Sequence, residues 1–203
     1  MSRKYNDLKP IISQFKKVLI TGPHGAGNKI ATHIIAEDLG IPYHRGENTW
    51  YHEDYNDDNV DVGLFTYHEQ MKDKEWSMFA PSQAAHLHNM LDYLDDVLVV
   101  FMYKSLEEIK DYSTRNSFVR NQTHLYELGT RSQIIDRDFP DLNFLKNWSV
   151  EEATYFLWEN KQKKFIKNYI ELEHSSLSGH KLWVSKEDRK HFKEWQISEN
   201  ESK

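Results

Sequence analysis

The chain has 203 residues, of which 38% are hydrophobic, 29% charged and 13% aromatic; this suits one domain with a single core and is short for two enzyme domains joined by a linker. Six Trp, eleven Tyr and ten Phe supply the large apolar surfaces that a folded core needs, which argues against a disordered chain. With 26 Lys and Arg against 32 Asp and Glu the net charge is -6, which disfavours a protein that coats nucleic acid, and the absence of Cys excludes disulfides, thiolate metal sites and Cys nucleophiles.

No apolar run in the N-terminal segment reaches signal-peptide length, and no later run approaches a membrane span. A soluble, cytoplasmic protein with no membrane or nucleic-acid partner is expected. In chain order, a short apolar strand over Val18–Thr21 stops at Gly22-Pro23-His24-Gly25-Ala26-Gly27. A helix then begins at Asn28, with Ile30, Ile34 and Leu39 near helical spacing and Gly40 where a left-handed C-cap belongs. Ile41–Tyr43 is a second short strand, followed by an acidic, aromatic-bearing insertion at about 45–70. Trp76–Ala80 reads as a third strand ending at Pro81, and Ser82 caps a helix that carries Leu87, Met90, Leu91 and Leu94.

Val97–Met102 is apolar throughout, as a parallel strand covered on both faces requires. Ser105–Phe118 reads as helical. Ser149-Val150-Glu151-Glu152 is a capping box that predicts a long helix to about Leu172, with Trp158, Phe165 and Tyr169 as core. Lys181–Val184 reads as the last strand, and Ser185 with Asp188 opens a closing helix. Strands and helices alternate, so the expected class is α/β with a mostly parallel central sheet flanked by helices, in one domain over residues 1–203.

The glycine loop is the strongest chemical signal. A loop that joins a strand to a helix exposes backbone N–H groups and the positive end of the helix, which is how phosphate is held. The nucleotide-hydrolase pattern G-x4-G-K-[ST] is not met, because Asn28 stands at the Lys position and Lys29 at the hydroxyl position. An ordinary magnesium-ATP site is therefore disfavoured. Asp54-Tyr55-Asn56-Asp57-Asp58 begins like a calcium loop, but Asn59 takes the Gly position and Phe65 the Glu position, so it reads as a solvated acidic loop. His86 and His88, two apart, would point to different sides of a helix and form no zinc pair, and no metal site is expected.

The stretch VLITGPHGAGNKIATHIIAEDLG resembles the 5'-phosphosulfate loop of the sulfotransferase-like P-loop family, in particular its small bacterial and phage-encoded members. VLVVFMYKSLEEIKDYSTR resembles that family's strand and helix that hold the nucleotide 3'-phosphate, and YFLWENKQKKFIKN with LWVSKEDRKHFKEWQ resembles its tail. The resemblance covers most of the chain outside the insertion. It implies a three-layer P-loop fold that binds 3'-phosphoadenosine 5'-phosphosulfate (PAPS) or its product adenosine 3',5'-bisphosphate. The implied binding residues are Gly22, Pro23, His24, Gly25, Ala26, Gly27, Asn28, Lys29 and Ile30 at the 5' end, with Lys104 and Tyr112 or Ser113 at the 3'-phosphate.

This sequence departs from the family pattern at several points. The family's Arg, Ser and Thr of the loop fall on Gly25, Ala26 and Asn28; its later Arg and Ser fall on Lys104 and Tyr112, with Ser113 one residue on. Phe79 stands where related sequences carry a polar residue before the Pro of the third strand end, so the usual base position is empty. Lys29, His24 and His86 are the candidate catalytic residues that remain, with His44, His52, Glu53 and His88 as other possible bases. The expected function is PAPS-dependent sulfuryl transfer to a hydroxyl or amine of a small molecule or carbohydrate. The alternatives are a P-loop domain that has lost its chemistry and only binds a nucleotide or a protein, and a small-molecule or nucleotide kinase.

Overall fold

The computed structural model describes residues 2–45, 73–79, 87–89, 91, 94–115 and 139–183. Among the described residues five strands form one sheet: β1 (Lys17–Thr21), β2 (Tyr43–Arg45), β3 (Trp76–Phe79), β4 (Leu98–Tyr103) and β5 (Tyr169–Glu173). Their order is β2-β3-β1-β4-β5, and all four pairings are parallel. Helices α1 (Tyr5–Ile12), α2 (Asn28–Leu39), α3 (Leu106–Arg115) and α4 (Val150–Asn160) accompany them. The α/β class with a parallel sheet between helices is the architecture that forms.

β1 and β4 run through the middle of the sheet and are apolar on both faces, as their sequences demand: Val18, Leu19, Ile20 and Leu98 to Met102 are all buried. One face packs Val18, Ile20, Val100 and Met102 against Leu8 and Ile12 of α1 and Ile34 and Ile35 of α2. The other packs Leu19, Val99 and Phe101 against Trp158 of α4, whose indole stacks on Phe101 at 4.3 Å. Burying side chains of this size is worth about 1.5–3 kcal/mol each, so both faces of these central strands contribute to the fold's stability.

The chain leaves β1 towards β2 on one side, then crosses after β3 to β4 on the other. Connections that diverge from neighbouring strands leave a crevice at their carboxyl ends, where open α/β sheets bind ligands. In this sheet the switch point falls between the ends of β1 and β4.

Several boundaries differ from the sequence expectation. The second strand forms at Tyr43–Arg45 rather than Ile41–Tyr43. The Ile41 N–H is taken by the α2 cap, bonding Ala36 O at 3.1 Å, and Pro42 has no N–H, so pairing starts only where Pro42 O accepts from Ser77 N at 2.9 Å. The long helix expected to run to Leu172 ends at Asn160, because Lys161 leaves the helical region at φ -129°, ψ -66°. Tyr169–Glu173 is the fifth strand instead; Ile170 and Leu172 face the core in strict alternation. Of the three aromatics assigned to the core of that helix, Trp158 is fully buried and Tyr169 packs edge-on against it at 5.4 Å, whereas Phe165 is 49% exposed. Lys181 and Leu182 lie in a turn closed by Trp183 N–H to His180 O at 2.8 Å, not in a strand.

Leu87–Asn89, expected within the Ser82 helix, form a single 3-10 turn. Residues 46–72, which hold all but the start of the acidic insertion, Ala80–His86 and Met90 of the Ser82 helix, the residues after Arg115 of the helix expected over Ser105–Phe118, and Val184 onward lie outside the described residues. Among the described residues no helix is long and apolar enough to cross a membrane.

Candidate functional site

The loop after β1 is shaped by three glycines at positive φ: Gly22 at 136°, Gly25 at 82° and Gly27 at 93°. At Gly22 a Cβ would lie 3.0 Å from Met102 O and 3.2 Å from Met102 N, so the loop starts pressed against the β4 backbone, where only glycine fits. Further along, Pro23 O accepts from Ala26 N at 3.1 Å and from Asn28 Nδ2 at 2.9 Å, which closes the loop on itself. Gly27 is the N-cap of α2 and supplies no side-chain bond, and the first turn carries no acidic residue. An uncapped N-terminus of a three-turn helix presents N–H groups and about half a positive charge to whatever lies before it.

Asn28, at the position where nucleotide hydrolases carry Lys, is 4% exposed. Its amide nitrogen is committed to Pro23 O, and Oδ1 has no hydrogen-bond partner among the described residues. A buried acceptor left this way costs about 1–3 kcal/mol. Its backbone carbonyl accepts from Thr32 Oγ1 at 2.9 Å, and Thr32 O accepts from Ser77 Oγ at 3.1 Å, so the first turn of α2 is anchored to β3. Lys29 and Ile30, the next two residues of that turn, are partly buried, as is His24 in the loop.

Beside β1, β4 ends at Tyr103, followed by Lys104. The Lys104 backbone is held at both polar atoms: its N–H donates to Tyr155 Oη at 3.1 Å, and Tyr155 O–H donates to Lys104 O at 2.9 Å. Burial pushes the Tyr155 phenol up to about 12, which keeps it protonated for this role. The Lys104 side chain is only 14% exposed, with Nζ 4.0 Å from Glu108 Oε1. Ser105 Oγ accepts from Glu108 N at 3.3 Å and starts α3, the helix that carries Tyr112 and Ser113.

Behind Tyr103 stands a charged cluster. The Arg3 guanidinium lies 3.7 Å over the Tyr103 ring and donates to Glu171 Oε2 at 2.9 Å; Trp158 Nε1 donates to Glu171 Oε1 at 3.1 Å. Tyr103 also donates to Glu159. Burial alone would raise the Glu171 carboxyl, but the bonds from Trp158 and Arg3 and the charges of Arg3 and Lys163 outweigh it and hold it below its ordinary value. Burial, the bond to Glu159 and the nearby carboxylates push the Tyr103 phenol upward.

A third element reaches the loop. His174, directly after β5, sets its ring against Gly27, where a Cβ would lie 2.2 Å from the ring's Cδ2. The sequence reading missed this residue. The one local signal is the alternation of Ile170 and Leu172 with Glu171 and Glu173, which fits a strand ending before His174 but fits a helical period equally well.

The structure thus brings together the loop residues Gly22 to Ile30 and Lys104 at one end of the sheet. Tyr112 and Ser113 lie two turns into α3, and His86, His52 and Glu53 lie outside the described residues. His44 falls on β2. His88 is not at this end: its N–H donates to Gln162 Oε1 at 3.0 Å and its ring lies 4.8 Å from Phe139, beside α4. Among the described residues no three His, Asp or Glu side chains gather as a metal site.

No protein-family model matches the chain, and no curated protein matches it. Among solved structures it is similar to shikimate kinase from Acinetobacter baumannii in complex with shikimate, at 15% identity and a TM-score of 0.42, over 79% of this chain and 86% of that one. It is also similar to an uncharacterized protein from Eubacterium ventriosum, at 13% identity and a TM-score of 0.38, over 77% and 87% of the two chains.

Proposed function

We propose that the chain binds a nucleotide with phosphates at both its 5' and 3' ends, of the PAPS type, and that its activity is sulfuryl transfer to a hydroxyl or amine of a small molecule or carbohydrate. One observation supports the binding half. A self-closed glycine loop opening an uncapped helix follows β1, and Lys104 follows the neighbouring strand β4 at the same end of the sheet, with Gly22 against Met102. The transfer half rests on the resemblance of the two sequence blocks to sulfotransferase-like P-loop proteins.

The loop backbone supports this reading. The positive-φ glycines let the loop turn directly into α2, whose uncapped first turn offers its N–H groups to a phosphate. Lys104, with Tyr112 or Ser113 on α3, is assigned to the 3'-phosphate. PAPS, when bound, supplies a sulfuryl group whose S–O bond to the 5'-phosphate breaks as the acceptor atom bonds to sulfur, while the acceptor's proton passes to a base. Lys29 on the first turn and His24 beside the loop are assigned to hold the negative charge that the leaving phosphate gains. His86 is the proposed base.

Asn28 favours a second reading, in which the loop binds a nucleotide without turning it over. Its amide nitrogen is committed to Pro23, its other polar side-chain atom is an acceptor, and Gly25 and Ala26 offer no polar side chain. The 5' sulfate end would then meet backbone donors alone at these positions.

Calorimetric titration with adenosine 3',5'-bisphosphate, ADP, and ATP with magnesium tests both readings. Binding of the bisphosphate is expected. The Lys29→Ala, Lys104→Ala double variant should weaken it about a hundredfold, a factor of about ten for each charge-assisted hydrogen bond removed. Unchanged affinity in that variant would remove the two lysines from the site. Tight binding with no product across a panel of acceptors would decide for the second reading.

A further inference from the structure

Parallel strands open their carboxyl ends on one edge of the sheet. The first residue after β5 therefore arrives on the side where the glycine loop follows β1 and Lys104 follows β4. That residue is His174, at the head of a short 3-10 turn. Its ring rests on Gly27, the N-cap of α2: a Cβ there would lie 2.2 Å from Cδ2 and 3.0 Å from Nε2, so the edge turned to the loop is one that carries a ring nitrogen. Trp183 backs the ring at 4.8 Å. The turn itself is fixed, since Ser176 Oγ donates to Glu173 O at 2.6 Å and accepts from Tyr5 N at 3.0 Å.

We propose that His174 is a ligand-binding residue of the glycine loop. Its ring nitrogen donates to an oxygen of the phosphate-bearing anion held at the first turn of α2. The inference rests on the phosphate-binding reading above and adds to it a contact from β5. Asn28 supports it independently. That residue is 4% exposed, the bond to Pro23 O turns its carboxamide into the loop, and Oδ1 lacks a partner among the described residues. A protonated phosphate oxygen, or a water that enters with the anion, satisfies such an acceptor. The loop also has an amide where a Lys cation stands in nucleotide hydrolases, and β5 delivers an imidazole to the same helix end. Gly27 is what admits it, because any side chain there would occupy the place of the ring.

Two variants of the full chain separate a donor from a spacer. His174→Phe keeps a flat ring between Gly27 and Trp183 but removes both ring nitrogens; His174→Gln keeps a hydrogen-bond donor. Each is titrated with adenosine 3',5'-bisphosphate and with inorganic pyrophosphate. The expected result is that His174→Phe binds about tenfold more weakly than the parent chain while His174→Gln stays within about threefold of it. Their thermal midpoints without ligand should agree. Equal affinity in His174→Phe and the parent overturns the assignment and leaves phosphate binding standing, as does a Gln variant no better than the Phe variant. Failure of the parent to bind either anion overturns both. If His174→Phe does not fold, the His174 ring resonances of the parent decide: a shift on adding the bisphosphate supports the contact, and unmoved resonances overturn it.

Discussion

Gly27 carries two constraints at once, a φ of 93° and a ring edge where its Cβ would be, whereas Gly40 carries only the first, with φ 67° and nothing within 4 Å. The pair isolates the steric effect from the conformational one. Gly40→Ala should cost about 1–2 kcal/mol, the strain of an L residue in the left-handed region. Gly27→Ala adds the displacement of His174 from the helix end and should cost about 1–2 kcal/mol more, within the usual range for overpacking. Urea unfolding of the two variants side by side measures the difference; equal losses would mean that His174 swings aside freely. The glycines were legible in the sequence because a strand-loop-helix step needs them locally. His174 was not, since its partner is 147 positions away and a contact of that span leaves no local pattern.

Elements were legible where one local cause suffices. The β1 loop and α2, the apolar run of β4, and the start of α4 all formed where local patterning indicated. At Ser149 the hydroxyl accepts from Glu152 N at 3.3 Å and Glu152 Oε2 accepts from Ser149 N at 3.3 Å, which is the reciprocal capping box. Ser149→Ala should therefore cost about 1 kcal/mol in a urea unfolding experiment. A loss no larger than about 0.2 kcal/mol would show that packing of Val150, Ala153 and Leu157 fixes the helix start without the cap. The end of α4 and the existence of β5 were not legible for the opposite reason. Apolar residues in Tyr169–Glu173 fit a helical period as well as an alternating one, and what decides between them is distant: Glu171 is held by Arg3 from the N-terminal segment and by Trp158 from α4. Glu173 N–H is likewise taken by Arg3 O at 2.8 Å. α1 shows the same limit, with Pro10 inside its last turns and its stability coming from Leu8 and Ile12 packed on the sheet.

Across the whole molecule, carboxylates hold distant segments together and set how stability depends on pH. Asp38 at the end of α2 accepts from Tyr5 Oη at 2.6 Å, from Lys9 at 2.9 Å and from His180 Nε2 at 3.3 Å, joining α1, α2 and the turn after β5. His180 Nδ1 accepts from Leu182 N at 3.1 Å, which leaves the ring proton on Nε2, facing Asp38. Burial raises the Asp38 carboxyl, yet the bonds from Tyr5, Lys9 and His180 more than offset this and lower it. Glu171 is lowered in the same way, and Glu152 is lowered chiefly by its bonds from Ser149 and Lys110. In the unfolded chain all three return to the ordinary carboxylate range near 4. The folded state then holds fewer protons than the unfolded one as the pH falls through that range, so the stability these groups add is present above about pH 5 and lost progressively below it. Tyr155, Tyr5 and Tyr103 act in the opposite sense at the other end. Burial raises all three phenols, Tyr155 to about 12, so the unfolded chain loses its tyrosine protons first and stability declines above about pH 10. The urea midpoint should therefore fall on both sides of a neutral plateau. Asp38→Asn combined with Glu171→Gln lowers the plateau, because the cations that face these carboxylates are left without their counter-charge, and it should also flatten the acid limb. An acid limb as steep in that double variant as in the parent would assign the loss to other carboxylates.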